Sequence, residues 1–384
     1  MIKSSAMDYW FSVVHLGNTS PEFIHSMFAS LHDERPPILS VVGERACNLQ
    51  CHHCIFQAER SSNEMSLSNS LITAVKTIVI QMGANPIVVH EGRIFRPEHL
   101  EWLTAIREVR PDARIGMIDS GAYLNHAKQI EQSGFKFDWL DISLDGDRAR
   151  HNLQRDDYDA FNVAIEGITN AKRFLTPRGY VTSLFTLTRF NQRIIAETEA
   201  SLPKEITEWH ITTLSPARPE INWLSVETRD FPRVWSQIVS VNKIRPVFVR
   251  VYVAEDILKL ARAVGKEKFL SALQVGEVSN CSITLNLDGV SVTYYPQSVA
   301  TSETFVIDAD AHYRAPYSVA YTLEELRSGV SRFGEDLRDY TIGKVDQNSQ
   351  FAILYDRDVE LWANGFGRKA LNKEISVFRQ ISKL

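Results

Sequence analysis

From residue 38 onwards, short runs of β-branched and aliphatic residues alternate with longer segments in which apolar residues recur every three or four positions. The first pattern is typical of strands and the second of amphipathic helices. Strands are predicted at 38–42, 87–89, 114–118, 139–144, 180–188 and 208–214. Helical patterns lie between them, near 67–82, 97–109, 123–132, 161–168 and 191–201. This alternation predicts an α/β fold, either a parallel sheet or an open barrel, in which ligands gather at the C-terminal strand ends.

The alternation breaks beyond Pro216. One more strand is predicted at 246–253, and two strands with alternating polarity flank Asp288-Gly289, a dipeptide typical of tight hairpin turns. The pattern therefore predicts three parts: an N-terminal extension at 1–37, an α/β unit at 38–220 and a mixed α+β extension at 221–384.

Composition narrows the class of protein. With 384 residues, 44% of them hydrophobic, the chain can bury a large core, which excludes an intrinsically disordered protein. The net charge of −5 argues against a protein that coats nucleic acid. No apolar run approaches the roughly 20 residues that span a bilayer. We therefore expect a cytoplasmic protein with no membrane or nucleic-acid partner.

The four cysteines are unevenly placed: Cys47, Cys51 and Cys54 form a C-x3-C-x2-C loop, and Cys281 is far away. Three thiols so close together in a reducing compartment indicate a metal site rather than a disulfide framework. An iron–sulfur cluster takes thiolates and can leave one iron open to a small molecule. Zinc is the competing interpretation, and it usually takes four protein ligands in two separated pairs. The fourth zinc ligand would then be His52, His53 or Cys281.

The loop follows the first predicted strand, and later strand ends carry further motifs: His90-Glu91-Gly92-Arg93, Asp119-Ser120-Gly121, and Asp141 to Gly146 followed by His151 and Arg155. In this order the motifs resemble the radical S-adenosylmethionine (radical SAM) enzymes over about residues 38–220, roughly half of the chain. The resemblance implies a partial (βα)6 TIM-like barrel with one [4Fe–4S] cluster on Cys47, Cys51 and Cys54. It also implies reductive cleavage of SAM to methionine and a 5′-deoxyadenosyl radical, which abstracts hydrogen from a substrate.

The resemblance also assigns residues to SAM. Glu91 falls on the position whose carboxylate meets the SAM amino group, and Arg155 on one that helps to hold the SAM carboxylate. The full set of expected SAM contacts is His53, Glu91, Ser120, Ser143, Arg155, Thr186 and Leu214.

Four residues at or near strand ends are candidate substrate contacts: His90, Arg93, Tyr123 and His210. Each of them equally fits an ordinary position on a surface loop. The sequence leaves this choice open.

The run from Cys281 to Val290 resembles the entry hairpin, near 281–296, of the SPASM or twitch extension that binds auxiliary clusters in relatives. One remaining cysteine cannot ligate a cluster by itself, so we expect this C-terminal region to cover the substrate without an auxiliary cluster. Cys281 is then either a small buried residue or a hydrogen-atom donor to a substrate radical. Without a second cluster to accept an electron, lyase, isomerase or transferase outcomes are favoured over net oxidation.

The substrate is the least constrained expectation. The slightly acidic chain favours a small sugar- or nucleoside-like molecule of natural product biosynthesis, whereas the fourth-strand motif and the hairpin look most like peptide-modifying relatives. The resemblance further implies an external one-electron reductant such as flavodoxin or ferredoxin. A zinc-stabilised α/β binding protein is the non-enzymatic alternative.

Overall fold

The computed structural model describes residues 38–42, 47–54, 69–91, 95–214, 219–279, 282–296, 304–308, 312–314, 341–345, 347–349 and 366–384. Three features singled out in the sequence, the extension at 1–37, Arg93 and Cys281, lie outside these residues. No helix in the described part combines the length and the apolar character needed to cross a membrane.

Strands and helices alternate as the hydrophobic pattern predicts. The first part contains β1 (Ile38–Val42), α1 (Asn69–Gln81), β2 (Ile87–Glu91), α2 (His99–Val109), β3 (Arg114–Asp119), α3 (Ala127–Ser133), β4 (Phe137–Ser143), α4 (Arg148–Arg155), α5 (Ala160–Asn170), β5 (Leu175–Leu187), α6 (Ile195–Ser201) and β6 (Trp209–Thr213). The second contains α7 (Phe231–Asn242), β7 (Val247–Val251), α8 (Ala254–Val264), α9 (Lys266–Val275), β8 (Glu277–Ser279), β9 (Ser282–Leu287), β10 (Val290–Tyr294), β11 (Thr304–Asp308), β12 (His312–Arg314), β13 (Thr341–Lys344) and α10 (Phe366–Lys383).

The described strands form one sheet in the order β13-β12-β11-β1-β2-β3-β4-β5-β6-β7-β10-β9-β8. Strands β1 to β7 are successive parallel neighbours. Strand β11 pairs parallel with β1, and β10 pairs parallel with β7, so the C-terminal region extends the parallel sheet at both sides. The predicted α/β class is confirmed. The hairpin at Asp288-Gly289 joins β9 to β10, as its turn signal predicts.

The two faces of the sheet differ in chemistry because successive side chains in a strand point to opposite faces. On the face that we call the outer face, buried apolar residues such as Leu140, Ile142 and Val249 pack in one hydrophobic core with the helices. On the opposite face, the inner face, polar side chains contact one another between strands. Examples are Thr182 Oγ1, which donates to Asp141 Oδ1, and the contact between Arg250 and His210. The side that the helices cover is thus the apolar core, while the inner face mixes these polar groups with apolar residues such as Leu184 and Phe248.

The turn after β3 is built on a carboxylate and a glycine. Asp119 Oδ1 accepts hydrogen bonds from Gly121 N at 2.6 Å and from Tyr123 N at 3.1 Å. Gly121 has a φ of +97°, in the left-handed region. The helix expected at 123–132 consequently begins as a 3₁₀ turn at Ala122–His126 and continues as α3.

Gly121→Ala is expected to destabilise the fold more than Gly134→Ala. Both glycines have positive φ, at +97° and +70°, so each alanine costs about 1 kcal/mol in backbone strain. A Cβ at Gly121 would also lie 2.4 Å from the Val163 carbonyl oxygen, whereas a Cβ at Gly134 meets nothing within 4 Å. We expect this overlap to add about 1–3 kcal/mol. Urea denaturation of both variants measures the difference, and equal free energies of unfolding would contradict the close approach of α5 to this turn.

Candidate active site

The cysteine loop lies directly after β1 and is tied to α4. All three thiols are reduced and partly exposed. Within the loop, Leu49 N donates to Cys47 Sγ at 3.4 Å and Cys54 N donates to Cys51 O at 3.1 Å. His52 N donates to Gln154 O at 2.9 Å, which fastens the middle of the loop to the end of α4. The loop is therefore held by backbone contacts, and its three cysteines are partly exposed.

A buried ion pair stands next to Cys51. Arg155 Nε and Nη2 each lie 2.6 Å from Asp145 Oδ2, and Arg155 Nη1 lies 3.7 Å from Cys51 Sγ. Asp145 has no exposed surface, and Arg155 is 8% exposed. Asp145 Oδ1 accepts from Thr186 N at 2.7 Å, so one carboxylate connects α4 to β5. Burial raises the pKa of the Cys51 thiol, and the Arg155 guanidinium acts against that rise.

A second network fixes the same region from behind. Asn191 Nδ2 donates to Asp145 O at 2.9 Å and to Thr186 O at 2.8 Å. Thr188 Oγ1 donates to Gln154 Oε1 at 2.6 Å, and Gln154 Nε2 donates to Thr186 O at 3.0 Å. These side chains are buried, and those of Asn191 and Gln154 donate hydrogen bonds to backbone carbonyl groups where β5 ends, so the strand end beside the loop is held rigidly.

The expected SAM residues that the structure describes lie on the strands around this loop. Glu91 ends β2 and accepts a hydrogen bond from Ser40 Oγ of β1. Ser143 ends β4, Thr186 is the penultimate residue of β5 and Leu214 directly follows β6. Because parallel strands end at the same edge of a sheet, these positions and the loop after β1 share one edge.

His53 carries a buried nitrogen without a hydrogen-bond partner among the described residues of the loop region. It is 8% exposed, and its Nδ1 has no hydrogen-bond partner among the described residues. Burial lowers the pKa of the imidazole well below its usual value, so the ring is neutral. A buried nitrogen without a partner is costly, and a polar group of a bound cofactor would satisfy it.

The donor set fits an iron–sulfur cluster. Three thiols are soft ligands, and the contacts to Cys47 Sγ and Cys51 Sγ come from donors that stabilise sulfur carrying negative charge. Within the described residues, no three or more His, Cys, Asp or Glu side chains converge as they would on a single metal ion. An iron–sulfur cluster does not require its ligands to converge on one point, because each thiolate binds a separate iron atom.

Two of the expected substrate contacts are core residues in the structure. His90 has no exposed surface, and its ring stacks on Trp102 with a centroid distance of 5.7 Å. Tyr123 is also fully buried, and its hydroxyl donates to Gly167 O at 2.7 Å. Both side chains pack between the sheet and its helices, and their burial favours a structural role. Arg93 is outside the described residues.

His210 differs, because it lies on the inner face. Its Nδ1 is 2.7 Å from Arg250 Nη2, and its neighbours Trp209 and Ile211 are buried on the outer face. Sequence reasoning missed Arg250 and Ser40, and it named Asp141 only as part of the fourth-strand motif, without a site role. An alternating strand pattern would have found them, since each is a polar residue between two apolar residues of a strand.

Comparison with solved structures finds this fold in radical SAM enzymes. A structure of anSMEcpe with bound AdoMet is 16% identical, with 84% of this chain and 79% of that chain covered and a TM-score of 0.55. Streptococcus suis SuiB bound to precursor peptide SuiA is 10% identical, with 81% and 71% covered and a TM-score of 0.51. At such identities the likeness establishes the fold. No family model and no curated protein matches the chain.

Asp145→Asn is expected to lower the free energy of unfolding by about 3–5 kcal/mol, because it leaves the buried Arg155 charge without its partner. The control Glu131→Gln breaks an exposed pair with Arg173, whose side chain is 52% exposed, and should cost below about 1 kcal/mol. Chemical denaturation of both variants provides the measurement. Similarly small decreases in the free energy of unfolding for both variants would show that the Asp145–Arg155 ion pair does not stabilise the site.

His90 predicts a pH dependence of stability. His99 Nδ1 accepts from Arg96 N, so the 2.8 Å contact between the imidazoles places the proton on His90 Nε2 and leaves His90 Nδ1 buried without a described partner. Burial lowers the pKa of His90 from 6.5 to about 4. The unfolded chain therefore binds a proton at His90 below about pH 6.5, whereas the folded chain binds it only below about pH 4. The free energy of unfolding consequently decreases as the pH is lowered from about 6.5 to about 4.

His90→Phe keeps a ring on Trp102 and removes this titration. Between pH 7 and pH 5, the loss of unfolding free energy should be about 2 kcal/mol smaller in the variant than in the wild type. Denaturation curves at both pH values test this, and the partly exposed His126, replaced by Phe, is the control with a smaller expected effect. Parallel pH profiles for wild type and His90→Phe would contradict the assignment.

Proposed function

We propose that the protein is a radical SAM enzyme. The observation that carries the proposal is the loop of three partly exposed cysteines that Gln154 and Arg155 fasten to the strand-end edge of the sheet. Support comes from the fold, which is that of radical SAM enzymes. When bound, the cluster would supply the electron that cleaves SAM to methionine and a 5′-deoxyadenosyl radical.

The residues of this chain then have separate tasks. Cys47, Cys51 and Cys54 hold the cluster, and Glu91, oriented by Ser40, receives the SAM amino group. Arg155 keeps a positive charge beside the Cys51 sulfur, where it would help to hold the SAM carboxylate.

The remaining expected SAM contacts complete the cradle. His53 offers its unpaired Nδ1 on the adenine side, together with Leu214. Ser143 and Thr186 lie at the C-terminal ends of β4 and β5, and Ser120 follows β3 at the same edge of the sheet. Each group binds or orients SAM, and the buried networks behind them exclude water from that side.

For the substrate we propose a small polar molecule, such as a sugar- or nucleoside-like compound, that meets the polar inner face. Peptide modification is the second candidate, and the neighbours favour it: SuiB is bound to precursor peptide SuiA, and anSMEcpe to a Kp18Cys peptide with 15% identity and a TM-score of 0.53. Screens of both substrate classes for increased 5′-deoxyadenosine formation separate the two candidates.

The cluster is tested by replacing cysteines. The triple variant Cys47→Ala, Cys51→Ala, Cys54→Ala, purified and reconstituted without oxygen, should lose the brown colour, the iron and the SAM-cleavage product 5′-deoxyadenosine. Cys281→Ala is the matched control, because it removes the one cysteine that lies outside the loop. It should keep iron, colour and SAM cleavage.

Iron and sulfide analysis, electron paramagnetic resonance and product detection give independent measures of this result. A triple variant that keeps its cluster would refute the ligand assignment. A colourless wild-type protein with stoichiometric zinc would instead establish the zinc-stabilised binding protein.

A further inference from the structure

The inner face carries a row of polar side chains beside the candidate SAM site. Thr186 of β5 pairs with Thr212 of β6, and Thr212 pairs with Arg250 of β7. Residues paired in parallel strands share a face, so these three side chains lie in one row. At about 4.8 Å per strand, the Arg250 backbone is about 10 Å from Thr186. Arg250 thus stands two strands from an expected SAM contact, with a side chain long enough to approach it.

Polar groups surround the Arg250 guanidinium. Its Nη2 donates to His210 Nδ1 at 2.7 Å, and the guanidinium also hydrogen-bonds to the Tyr252 side chain. The ring of Tyr252 stacks on Tyr295 with centroids 5.3 Å apart, and both phenols lie close to the guanidinium. The two tyrosine rings and the His210 imidazole therefore lie beside the positively charged guanidinium.

Within the described residues, Arg250 forms no direct ion pair. Asp141 is the carboxylate that acts on the guanidinium through space, while its own Oδ1 is engaged by the Thr182 hydroxyl. Burial, followed by the neighbouring Arg250 charge, lowers the pKa of His210 to about 3, so the imidazole is neutral and accepts from Arg250. The guanidinium has five N–H donors, and His210 and Tyr252 take only part of this capacity.

A partly desolvated guanidinium with unused donors is matched best by an oxyanion, which accepts two parallel N–H bonds. We propose that Arg250 binds a carboxylate or phosphate group of the substrate, with Tyr252 and Tyr295 at its side. This inference deepens the proposed function and rests on it, since the bound molecule is the one from which hydrogen is abstracted. The anion would anchor one end of the substrate and direct the rest along the row toward Thr186.

Binding of inorganic phosphate and of succinate to the reconstituted, SAM-bound protein tests the proposal, with equilibrium dialysis as the measurement. The wild type should bind one anion per chain, and Arg250→Gln should weaken this binding at least about tenfold, as expected for lost charged hydrogen bonds. Arg250→Lys keeps the charge without the planar fork and should be intermediate. Tighter phosphate binding would identify a phosphorylated substrate, and tighter succinate binding a carboxylate.

Arg262→Gln is the matched control, because it removes the same charge from an exposed position on α8 and should bind like the wild type. Circular dichroism establishes that each variant is folded. The proposal is overturned if Arg250→Gln binds both anions as tightly as the wild type, or if the wild type binds neither saturably. SAM cleavage is measured in the same samples. If SAM is not cleaved but the anion binds, the radical SAM proposal alone is refuted. If SAM is cleaved but no anion binds, the anion site alone is refuted.

Discussion

The buried contact between Asp145 and Arg155 is the interaction on which the candidate site depends. It brings together three segments that are far apart in sequence: the end of α4, the end of β5 through Thr186 N, and the cysteine loop through Cys51. In surroundings of low polarity the attraction between the charges is strong, and a missing partner is costly. The geometry around Cys51 is therefore set by the fold, while the backbone hydrogen bonds inside the loop leave the three cysteines partly exposed.

The difference between the faces of the sheet explains where function can reside. Apolar side chains on the outer face pack with the helices in a continuous core, which holds the strands in register. The inner face is free of that requirement and carries Asp141, Thr182, His210 and Arg250 instead. Because these groups alternate with core residues along the same strands, the packing that stabilises the sheet also fixes their positions. The row of Thr186, Thr212 and Arg250 lies near the C-terminal ends of its strands, at the same sheet edge as the cysteine loop.

His90 and Glu91 show how far a linear pattern can be followed. Both belong to the motif at the end of β2, and both are candidates from sequence. One step along a strand reverses the face, so His90 enters the core against Trp102 while Glu91 meets Ser40 across the neighbouring strand. Tyr123 is buried for a related reason, since the turn on Asp119 directs its ring into the core. The motif predicts a position at the end of a strand and does not distinguish the two faces of the sheet.

The sequence by itself determined the alternating strands and helices, the α/β class and the loop of three cysteines, because periodicity and spacing are local properties of the chain. Only the tertiary structure decided that β10 and β11 extend the parallel sheet on either side of β1 to β7. It also decided that Gln154 and Arg155 fasten the loop and that Arg250 stands in one row with Thr186. These are contacts between residues tens to hundreds of positions apart. They follow from strand pairing and burial in the complete fold, and local sequence propensity contains no information about them.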